Sequence, residues 1–371
     1  METNRLQALM EEHAFHVGFD AVGWTAASVS ASDAQTYRQW LDLGHHAGMD
    51  YLERQLDRRV DMSPYRSALV LGISHAFAEP IRPNGGVRVG RVARYAWTPD
   101  YHRQLQPRLD ALTETLTQLG VQARSYVDHG PIMERALAGQ AFLGWRAKSG
   151  MLVSQNWGAF LTLAVVLTDI WMEDTAVLHP DRCGRCTACI RACPTGAILD
   201  NRTLDARKCL SYLTIEHRGM IPLAFRKAIG DWLFGCDGCL EICPWSIKAG
   251  ALAQQWHPDP ELAHPNIEPW LGLTNRQFDA QYAHTAFARP RRKGMLRNAC
   301  LVLGNLGDDA HIGLLVQALG DPAWEVREAA AWALGQFQRD NVWVHLEKAL
   351  LRPEEIPCVR QTLLGALDGA L

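Results

Sequence analysis

Cysteine spacing is the strongest chemical signal in this 371-residue chain, which contains ten cysteines. The first run follows the pattern C-x2-C-x2-C-x3-C-P, with which bacterial ferredoxins ligate iron–sulfur clusters. Its closely spaced cysteines surround one cluster, while the wider gap and the proline direct the last cysteine towards a second cluster. The run consists of Cys183, Cys186, Cys189 and Cys193, followed by Pro194.

A second, shorter run supplies partners for Cys193. It has the same ending, C-x2-C-x3-C-P, but Leu233 occupies the place of its first cysteine. Two 4Fe–4S clusters require eight thiolates, the two runs contain seven, and the other cysteine near them is Cys209. We therefore expect one cluster on Cys183, Cys186, Cys189 and Cys243, and the other on Cys193, Cys209, Cys236 and Cys239.

Structural zinc and disulfides are the alternatives for these cysteines. Zinc is satisfied by four ligands in two pairs, whereas the first run alone places four cysteines in one short segment before a proline. The cysteines are concentrated in one part of a chain without an export signal, which favours metal ligation over disulfides. Cys300 and Cys358 lie in apolar helical patterns and are expected to be buried structural thiols.

The composition indicates a globular protein of two or three domains. The formal net charge is -3, so nucleic-acid binding would require a local basic patch. The N-terminus lacks the basic start and apolar stretch of a signal peptide, and the apolar run at 160–167 is too short to span a bilayer. We expect a cytoplasmic protein without a membrane segment.

The elements before the cysteines have an α/β pattern. Apolar strand candidates occur at 68–73 and 160–167, with helical periodicity between them. The glycine pairs in this region lack the strand–turn–helix context of a nucleotide-binding loop. Asp128 follows a short strand candidate and precedes Gly130-Pro131, and by itself it is most simply a turn residue.

The end of the chain repeats itself with a period of about thirty residues. Segments 297–306 and 327–336 match each other, and 360–367 is a weaker third copy. Helical spacing and the Asp321-Pro322 turn are typical of short HEAT-like helical pairs.

A basic stretch, 289–298, comes just before the first repeat and contains the densest group of cations in the chain. It has two interpretations. It is either the solvated start of a helix or an edge that contacts nucleic-acid phosphates.

Taken together, these motifs resemble the epoxyqueuosine reductases, which are cobalamin-dependent enzymes of queuosine-tRNA biosynthesis. The resemblance covers nearly the whole chain, and it joins a B12 domain, a double-cluster module and terminal HEAT-like repeats. Besides the cluster cysteines, the matching features are Arg94-Tyr95-Ala-Trp97, Asp100-Tyr101-His102, Val127-Asp128-His-Gly-Pro131, Glu134-Arg135, Gly144-Trp145, Lys148, Cys209-Leu-Ser211-Tyr-Leu-Thr214 and Lys293-Gly-Met-Leu-Arg297-Asn298.

The resemblance implies reduction of the epoxide of epoxyqueuosine, in a tRNA anticodon loop, to the alkene of queuosine. Two electrons and two protons are consumed. The two clusters would feed electrons to base-off cobalamin, and Asp128 would donate a proton to the epoxide oxygen, if burial beside the cofactor keeps it protonated. The implied cobalamin contacts are Arg59, Asp128, Lys148, Leu152, Ser154 and Ser211.

The resemblance also implies a domain order and partners. We expect a cobalamin-binding catalytic domain at 1–174, a ferredoxin-like domain at 175–250, a linker with the first helices at 251–290 and a HEAT-like tRNA-binding domain at 291–371. The protein would be a monomer that takes electrons from an unidentified low-potential donor. The expected tRNA contacts are Arg291, Arg292, Lys293, Arg297 and Asn298.

Two other functions remain open from the sequence. An electron-transfer adaptor would carry the clusters without B12, and a cobalamin-dependent reductive dehalogenase would act on a small molecule and have no affinity for tRNA.

Overall fold

The computed structural model describes residues 3–171, 178–337, 339–353 and 355–370. The helices are α1 Thr3–His16, α2 Ala31–Asp42, α3 Tyr51–Arg54, α4 Leu56–Val60, α5 Tyr101–Gln118, α6 Glu134–Gln140, α7 Ala188–Ala192, α8 Leu210–Ile215, α9 Leu223–Ile229, α10 Gly238–Glu241, α11 Pro244–Ala249, α12 Pro260–Ala263, α13 Asn275–Tyr282, α14 Arg291–Leu306, α15 Ile312–Ala318, α16 Trp324–Gly335, α17 Asp340–Leu350 and α18 Pro357–Leu367.

The strands are short except for two that cross the centre of a sheet. They are β1 Ala21–Ala26, β2 Ser67–Ser74, β3 Arg91–Val92, β4 Ala123–Tyr126, β5 Trp145–Arg146, β6 Leu152–Val153, β7 Leu161–Thr168 and β8 Trp232–Phe234.

The chain divides into two compact units, each made of several segments. The first unit comprises Met1–Ala78, Asp100–Arg207 and Asp237–His257, and the second comprises Glu79–Pro99, Lys208–Cys236 and Pro258–Leu371. The predicted ferredoxin-like segment is therefore shared between the two units. The predicted boundary between residues 174 and 175 lies outside the described residues.

A four-stranded antiparallel sheet, in the order β1-β2-β7-β4, forms the centre of the first unit. Every residue of β2 is buried, as the apolar run at 68–73 predicts. The other predicted strand, at 160–167, is also confirmed and corresponds to β7. Helix α6 packs on this sheet through Leu137 and Ala138, so the turn between β4 and α6 is held against a rigid core.

The helices of the second unit include the predicted repeats. The three sequence copies lie on α14, α16 and α18, which pack side by side in that order. A Cβ atom added at Gly304 would lie 2.7 Å from Cα of Ala333, and one added at Gly335 would lie 2.8 Å from Cβ of Ala366. A glycine near the end of each of these two copies therefore permits the close approach of neighbouring helices.

The arginine that recurs in the repeat has a structural role in each copy. Arg327 and Arg360 are each the fourth residue of their helices, and Arg297 is the seventh residue of α14. All three donate hydrogen bonds to main-chain carbonyls of preceding segments. Arg327 also forms a 2.7 Å ion pair with Glu355. These guanidinium groups satisfy carbonyls that would otherwise lose their hydrogen bonds on burial.

Within the described residues, no helix combines the length and the apolarity that crossing a membrane requires.

Candidate functional site

Asp128 lies at the turn between β4 and α6, in a left-handed backbone conformation with φ of 53°. Aspartate tolerates this conformation better than most residues. The Asp128 N–H donates a 2.6 Å hydrogen bond to Oε1 of Glu134, the first residue of α6. The Asp128 side chain is 65% exposed, so its carboxyl is open to a bound molecule.

The first turn of α5 contributes two more side chains to this place. The hydroxyl of Tyr101 donates a hydrogen bond to Oδ2 of Asp128. Nε2 of His102 lies 3.9 Å from the same oxygen. The other ring nitrogen of His102, Nδ1, is 2.7 Å from Oδ1 of Asp100, and this aspartate also caps α5 by accepting the His102 N–H.

The charges around Asp128 shift the pKa values of two neighbours in the same direction. Burial opposes the charged form of His102, but the hydrogen bond and charge of Asp100, followed by the charge of Asp128, raise its pKa above the usual value. Burial, followed by the charge of Asp128, raises the pKa of Glu134 to about 8. Glu134 therefore retains its proton at neutral pH.

Glu134 and His102 lie in segments that match the family, but the sequence alone assigns no role to either residue. Their placement beside Asp128 depends on how the start of α5 approaches the end of β4, which no local pattern encodes. Asp100 did carry a usable signal, because aspartate directly before a helical pattern is a typical N-cap.

Arg59, a predicted cobalamin contact, is buried and supports the Asp128 turn. Its Nη1 donates a 2.9 Å hydrogen bond to the carbonyl of Ile132, and its Nη2 donates one of 3.1 Å to Oε1 of Gln55. Among the residues that the structure describes, Nε of Arg59 is a buried donor without a hydrogen-bond partner. That donor suits an oxygen acceptor of a bound molecule.

Three of the four cysteines predicted for one cluster lie close together in the first unit. Burial raises the pKa of Cys189, and the neighbouring thiols of Cys183 and Cys243 raise it further. The fourth, Cys186, is the exposed member of the set. All are free thiols, which is the state that cluster ligation requires.

Two side chains brace the loop that carries these thiols. The indole Nε1 of Trp145 donates to Sγ of Cys183 at 3.3 Å. The Nζ of Lys148 donates to the carbonyls of Gly184 and Cys186, at 2.7 and 2.9 Å. Lys148 was predicted as a cobalamin contact, and here its ammonium group is engaged by the cysteine loop.

The cysteines predicted for the other cluster are divided between the units. Cys193 and Cys239 belong to the first unit, and Cys209 and Cys236 belong to the second. Sγ of Cys193 accepts a 3.3 Å hydrogen bond from the Ala197 N–H, a kind of contact that tunes the reduction potential of a ligated cluster.

The two remaining cysteines differ from each other. Cys300 is buried in α14, and burial raises the pKa of its thiol far above the usual value, as expected of a structural thiol. Cys358, at the start of α18, is only partly buried, so the expectation of a buried thiol is wrong there.

The other predicted cobalamin contacts have no common position in a single unit. Leu152 is buried in β6, and Ser154 is buried directly after it. Ser211 is partly buried in α8 of the second unit. Their contacts with a cofactor remain predictions.

The structure corrects the predicted tRNA contacts at the start of α14. Arg292 is 3% exposed, and its guanidinium pairs with Asp321 at 2.6 Å. Arg297 is 2% exposed, and its guanidinium donates to main-chain carbonyls of a preceding segment. Asn298 is fully buried and donates to the carbonyls of Thr214 and Leu233. These three side chains hold the second unit together and are inaccessible to phosphates.

Exposed cations do lie beside these buried residues. Lys293 keeps 44% of its side chain exposed, although its ammonium pairs with Glu325 at 2.6 Å. Arg291 is exposed at the first position of α14. The pKa of the exposed Arg218 is lowered by partial burial and also by the nearby positive charges of Arg289 and Arg291. Arg289 is exposed as well and pairs with Glu216. We call Arg218, Arg289 and Arg291 the basic edge.

Family models match three parts of the chain. Residues 57–129 match the family described as epoxyqueuosine reductase QueG, DUF1730, residues 182–246 match a 4Fe-4S double cluster binding domain, and residues 289–368 match HEAT repeats. The chain is 31% identical over 363 residues to an epoxyqueuosine reductase of Bacillus subtilis (strain 168), a match that covers 96% of this chain and 94% of the relative. The chain belongs to the epoxyqueuosine reductase family.

Another member of the epoxyqueuosine reductase family, from Escherichia coli (strain K12), is 32% identical to the chain over 357 residues, which covers 93% of each protein. A crystal structure of an epoxyqueuosine reductase with an epoxyqueuosine-modified tRNA-Tyr stem loop matches with 30% identity and a TM-score of 0.92 over 100% of both chains. A Bacillus subtilis epoxyqueuosine reductase with its catalytic loop swung out of the active site matches with 29% identity and a TM-score of 0.91, again over 100% of both chains. The predicted double-cluster module and helical repeats are thereby confirmed.

Proposed function

We propose that the chain reduces epoxyqueuosine in the anticodon loop of tRNA to queuosine. The reaction converts an epoxide to an alkene, consumes two electrons and two protons, and releases water. The chain's membership of the epoxyqueuosine reductase family supports this activity. The solved relative bound to a modified tRNA stem loop supports tRNA as the substrate.

The observation that carries the proposal is the exposed carboxyl of Asp128 on a supported turn. Tyr101 donates to this carboxyl, Glu134 accepts the Asp128 N–H, and Arg59 anchors the following segment. Opening an epoxide requires an acid beside the departing oxygen. In this proposal Asp128 is that acid, because its main chain is fixed while its carboxyl stays accessible.

Residues of both compact units suit the redox groups of this reaction. The eight predicted cysteine ligands, none of which forms a disulfide, would hold two 4Fe–4S clusters, and the Nε donor of Arg59 suits an amide or phosphate oxygen of base-off cobalamin. Arg59, Lys148, Leu152, Ser154 and Ser211 are the residues proposed to hold that cofactor. When bound, cobalamin fed by the clusters would supply the low-potential electrons that no protein side chain can provide.

The basic edge is the proposed contact surface for the tRNA backbone. Arg218 and Arg291 are exposed and near each other in the second unit, and the ion pair of Arg289 with Glu216 leaves the edge with a net positive charge. Cations in this position neutralise phosphates and make binding dependent on salt. The modified nucleotide would have to leave the stacked loop to reach Asp128.

The test is an anaerobic assay of the full chain loaded with iron, sulfide and cobalamin, supplied with a low-potential electron donor and tRNA that carries epoxyqueuosine. We expect queuosine among the nucleosides of the recovered tRNA. Bound clusters without cobalamin and without product would indicate an electron-transfer adaptor. Bound cobalamin with no affinity for tRNA, and with reduction of an organohalide instead, would indicate a dehalogenase. Either result would overturn the proposal.

A further inference from the structure

The stoichiometry of the proposed reaction requires two protons at one oxygen atom. The first proton is needed when the epoxide ring opens, and the second is needed when the resulting hydroxyl departs as water. A single carboxyl holds one proton, so Asp128 must be reloaded before the second step. An ionisable group beside Asp128 could return that proton directly, without a transfer from bulk water.

We propose that His102, oriented by Asp100, is the group that reloads Asp128. This inference rests on the proposed function and extends it to the second proton. Nε2 of His102 lies 3.9 Å from Oδ2 of Asp128. This separation exceeds that of a hydrogen bond, and such catalytic contacts commonly tighten when substrate binds.

The Asp100–His102 contact fixes which ring nitrogen faces Asp128. Oδ1 of Asp100 lies 2.7 Å from Nδ1 of His102 and accepts its proton, which leaves Nε2 directed towards Asp128. The same oxygen of Asp100 accepts the main-chain N–H of His102 at 3.0 Å, so the aspartate holds both the ring and its backbone. A carboxylate that orients and charges an imidazole is a common arrangement for proton transfer.

The surroundings of His102 favour a proton that is available near neutral pH. The side chains that face the ring are the carboxyls of Asp100, Asp128 and Glu134, the phenol of Tyr101 and the imidazole of His129. Burial opposes the charge, but the carboxylates of Asp100 and Asp128 outweigh it and raise the pKa of His102. An imidazolium of this kind is a better proton donor than a phenol, whose ordinary pKa is about 10.

The proton transfers balance the reaction. Asp128 gives its proton to the epoxide oxygen as the first C–O bond breaks, and becomes a carboxylate. The imidazolium of His102 then transfers its Nε2 proton to Oδ2 of Asp128 and becomes neutral, with Nδ1–H still donated to Asp100. The restored acid protonates the hydroxyl, the second C–O bond breaks and water leaves. Two protons are delivered, and the electron pair is the one that the proposed reaction already consumes.

Other groups near Asp128 are less suited to this transfer. The contact of Glu134 goes to the main-chain N–H of Asp128 and not to its carboxyl. Nδ1 of His129 is 2.6 Å from the carbonyl of Val127. Among the described imidazoles near Asp128, His102 has both an orienting carboxylate and an approach to Oδ2.

The first experiment measures the pKa of His102 by NMR, on the cluster-loaded chain with labelled histidine and without substrate. Asp100→Asn removes the orienting charge but keeps a good helix cap. We expect the pKa of His102 to fall by about one unit or more in this variant, and also in Asp128→Asn. A pKa of His102 that is the same in all three proteins would overturn the inference.

The second experiment measures kcat and KM against pH for the wild type, His102→Gln and Asp100→Asn. Since His102 must be protonated, kcat should be high below its pKa and fall as the pH rises through it. This fall of kcat with rising pH is the alkaline limb of the profile, and we expect it to move to lower pH in Asp100→Asn. In His102→Gln the limb should disappear and kcat should drop by roughly tenfold or more, with KM for tRNA little changed.

His13→Gln is the matched control. His13 contacts Thr115 on the same helix α5, and Thr115 is thirteen residues, or about 20 Å, from His102 along that helix. This variant should keep the wild-type kcat and pH profile. Added imidazole should partly restore kcat in His102→Ala, which a structural role would not allow.

The outcomes separate this inference from the proposed function. If the wild type makes no queuosine, the proposed function fails, whatever the NMR titration shows. If the wild type is active, Asp128→Asn is inactive and His102→Gln keeps both kcat and the pH limb, Asp128 remains the acid and the role of His102 is overturned. The same kinetic result with an inactive Glu134→Gln would assign the second proton to Glu134.

Discussion

Asp128 is surrounded by ionisable groups from two separate segments, the start of α5 and the start of α6. Tyr101 and His102 reach its carboxyl, whereas Glu134 accepts its main-chain N–H. Asp128 thus has a hydrogen-bond donor, a neighbouring imidazole and a fixed backbone, supplied by different parts of the first unit. This arrangement suits a group that must lose and regain a proton.

The raised pKa of Glu134 predicts how the stability of the chain depends on pH. Its pKa is raised from 4.5 to about 8 in the folded chain, so between these pH values the folded state holds a proton that the unfolded state has released. The free energy of unfolding therefore falls as pH rises through this window. Glu134→Gln has no charge to bury, and its thermal midpoint relative to the wild type should rise by roughly 2–4 °C on going from acidic to mildly alkaline pH.

The control for this prediction is Glu12→Gln, which makes the same change at an exposed position of α1. Its thermal midpoint relative to the wild type should not vary across the same pH range. Equal behaviour of the two variants would contradict a buried, protonated Glu134.

Arg291 and Arg292 are neighbours in sequence with opposite predicted effects. Arg291 is exposed, whereas Arg292 forms a buried ion pair with Asp321. Arg291→Ala should leave the thermal midpoint unchanged, weaken tRNA binding several-fold and reduce the slope of log affinity against log salt by about 1. Arg292→Ala should cost about 3–5 kcal/mol of stability, because it leaves the Asp321 carboxylate buried without its partner.

Filter binding over a salt series and thermal unfolding measure the two effects separately. An unchanged salt slope in Arg291→Ala would remove this arginine from the tRNA surface.

The sequence did indicate that Arg297 is structural, because the alignment that identified the repeats also aligned it with Arg327 and Arg360. A side chain that recurs in every repeat more often serves the repeat than a ligand bound by one copy.

The elements themselves were largely predictable. Strands β2 and β7 are continuous apolar runs, and the repeat helices recur with a fixed period, so local pattern was sufficient to find them. The strand order β1-β2-β7-β4 and its antiparallel register were not predictable. They depend on contacts between strands that are about 40 to about 100 residues apart in the chain, for which the sequence has no local signal.

The repeat glycines give a prediction for the helical elements. At Gly304 a new Cβ would meet the backbone of Ala333 at 2.7 Å, so Gly304→Ala should force α14 and α16 apart and destabilise the chain by about 1–3 kcal/mol. Gly313 in α15 has nothing within 4 Å of the corresponding position. Gly313→Ala should therefore be neutral or stabilise the helix by up to about 1 kcal/mol. Thermal unfolding of both variants measures the difference, and a similar change in both would contradict close packing at Gly304.

At the scale of the whole molecule, thiolate counting assigns eight cysteines to two clusters, an assignment that stays a prediction, but it does not say how the chain distributes them between the two units. The pattern gives eight ligands, because ferredoxin spacing is specific. It does not indicate that residues 208–236 belong to the second compact unit. The family membership, the double-cluster domain and the helical repeats together describe a redox enzyme whose proposed substrate is a large nucleic acid.

The most direct test of this account is the conversion of epoxyqueuosine-tRNA by Asp128→Asn beside the wild type, under anaerobic conditions and with both proteins loaded with clusters and cobalamin. Asparagine preserves the shape of the side chain and its tolerance of the left-handed backbone but has no carboxyl proton. Visible spectra should show the same cofactor content in both proteins. We predict that the wild type forms queuosine and that Asp128→Asn is slower by roughly a hundredfold or more. Queuosine formation by Asp128→Asn at the wild-type rate would contradict the account.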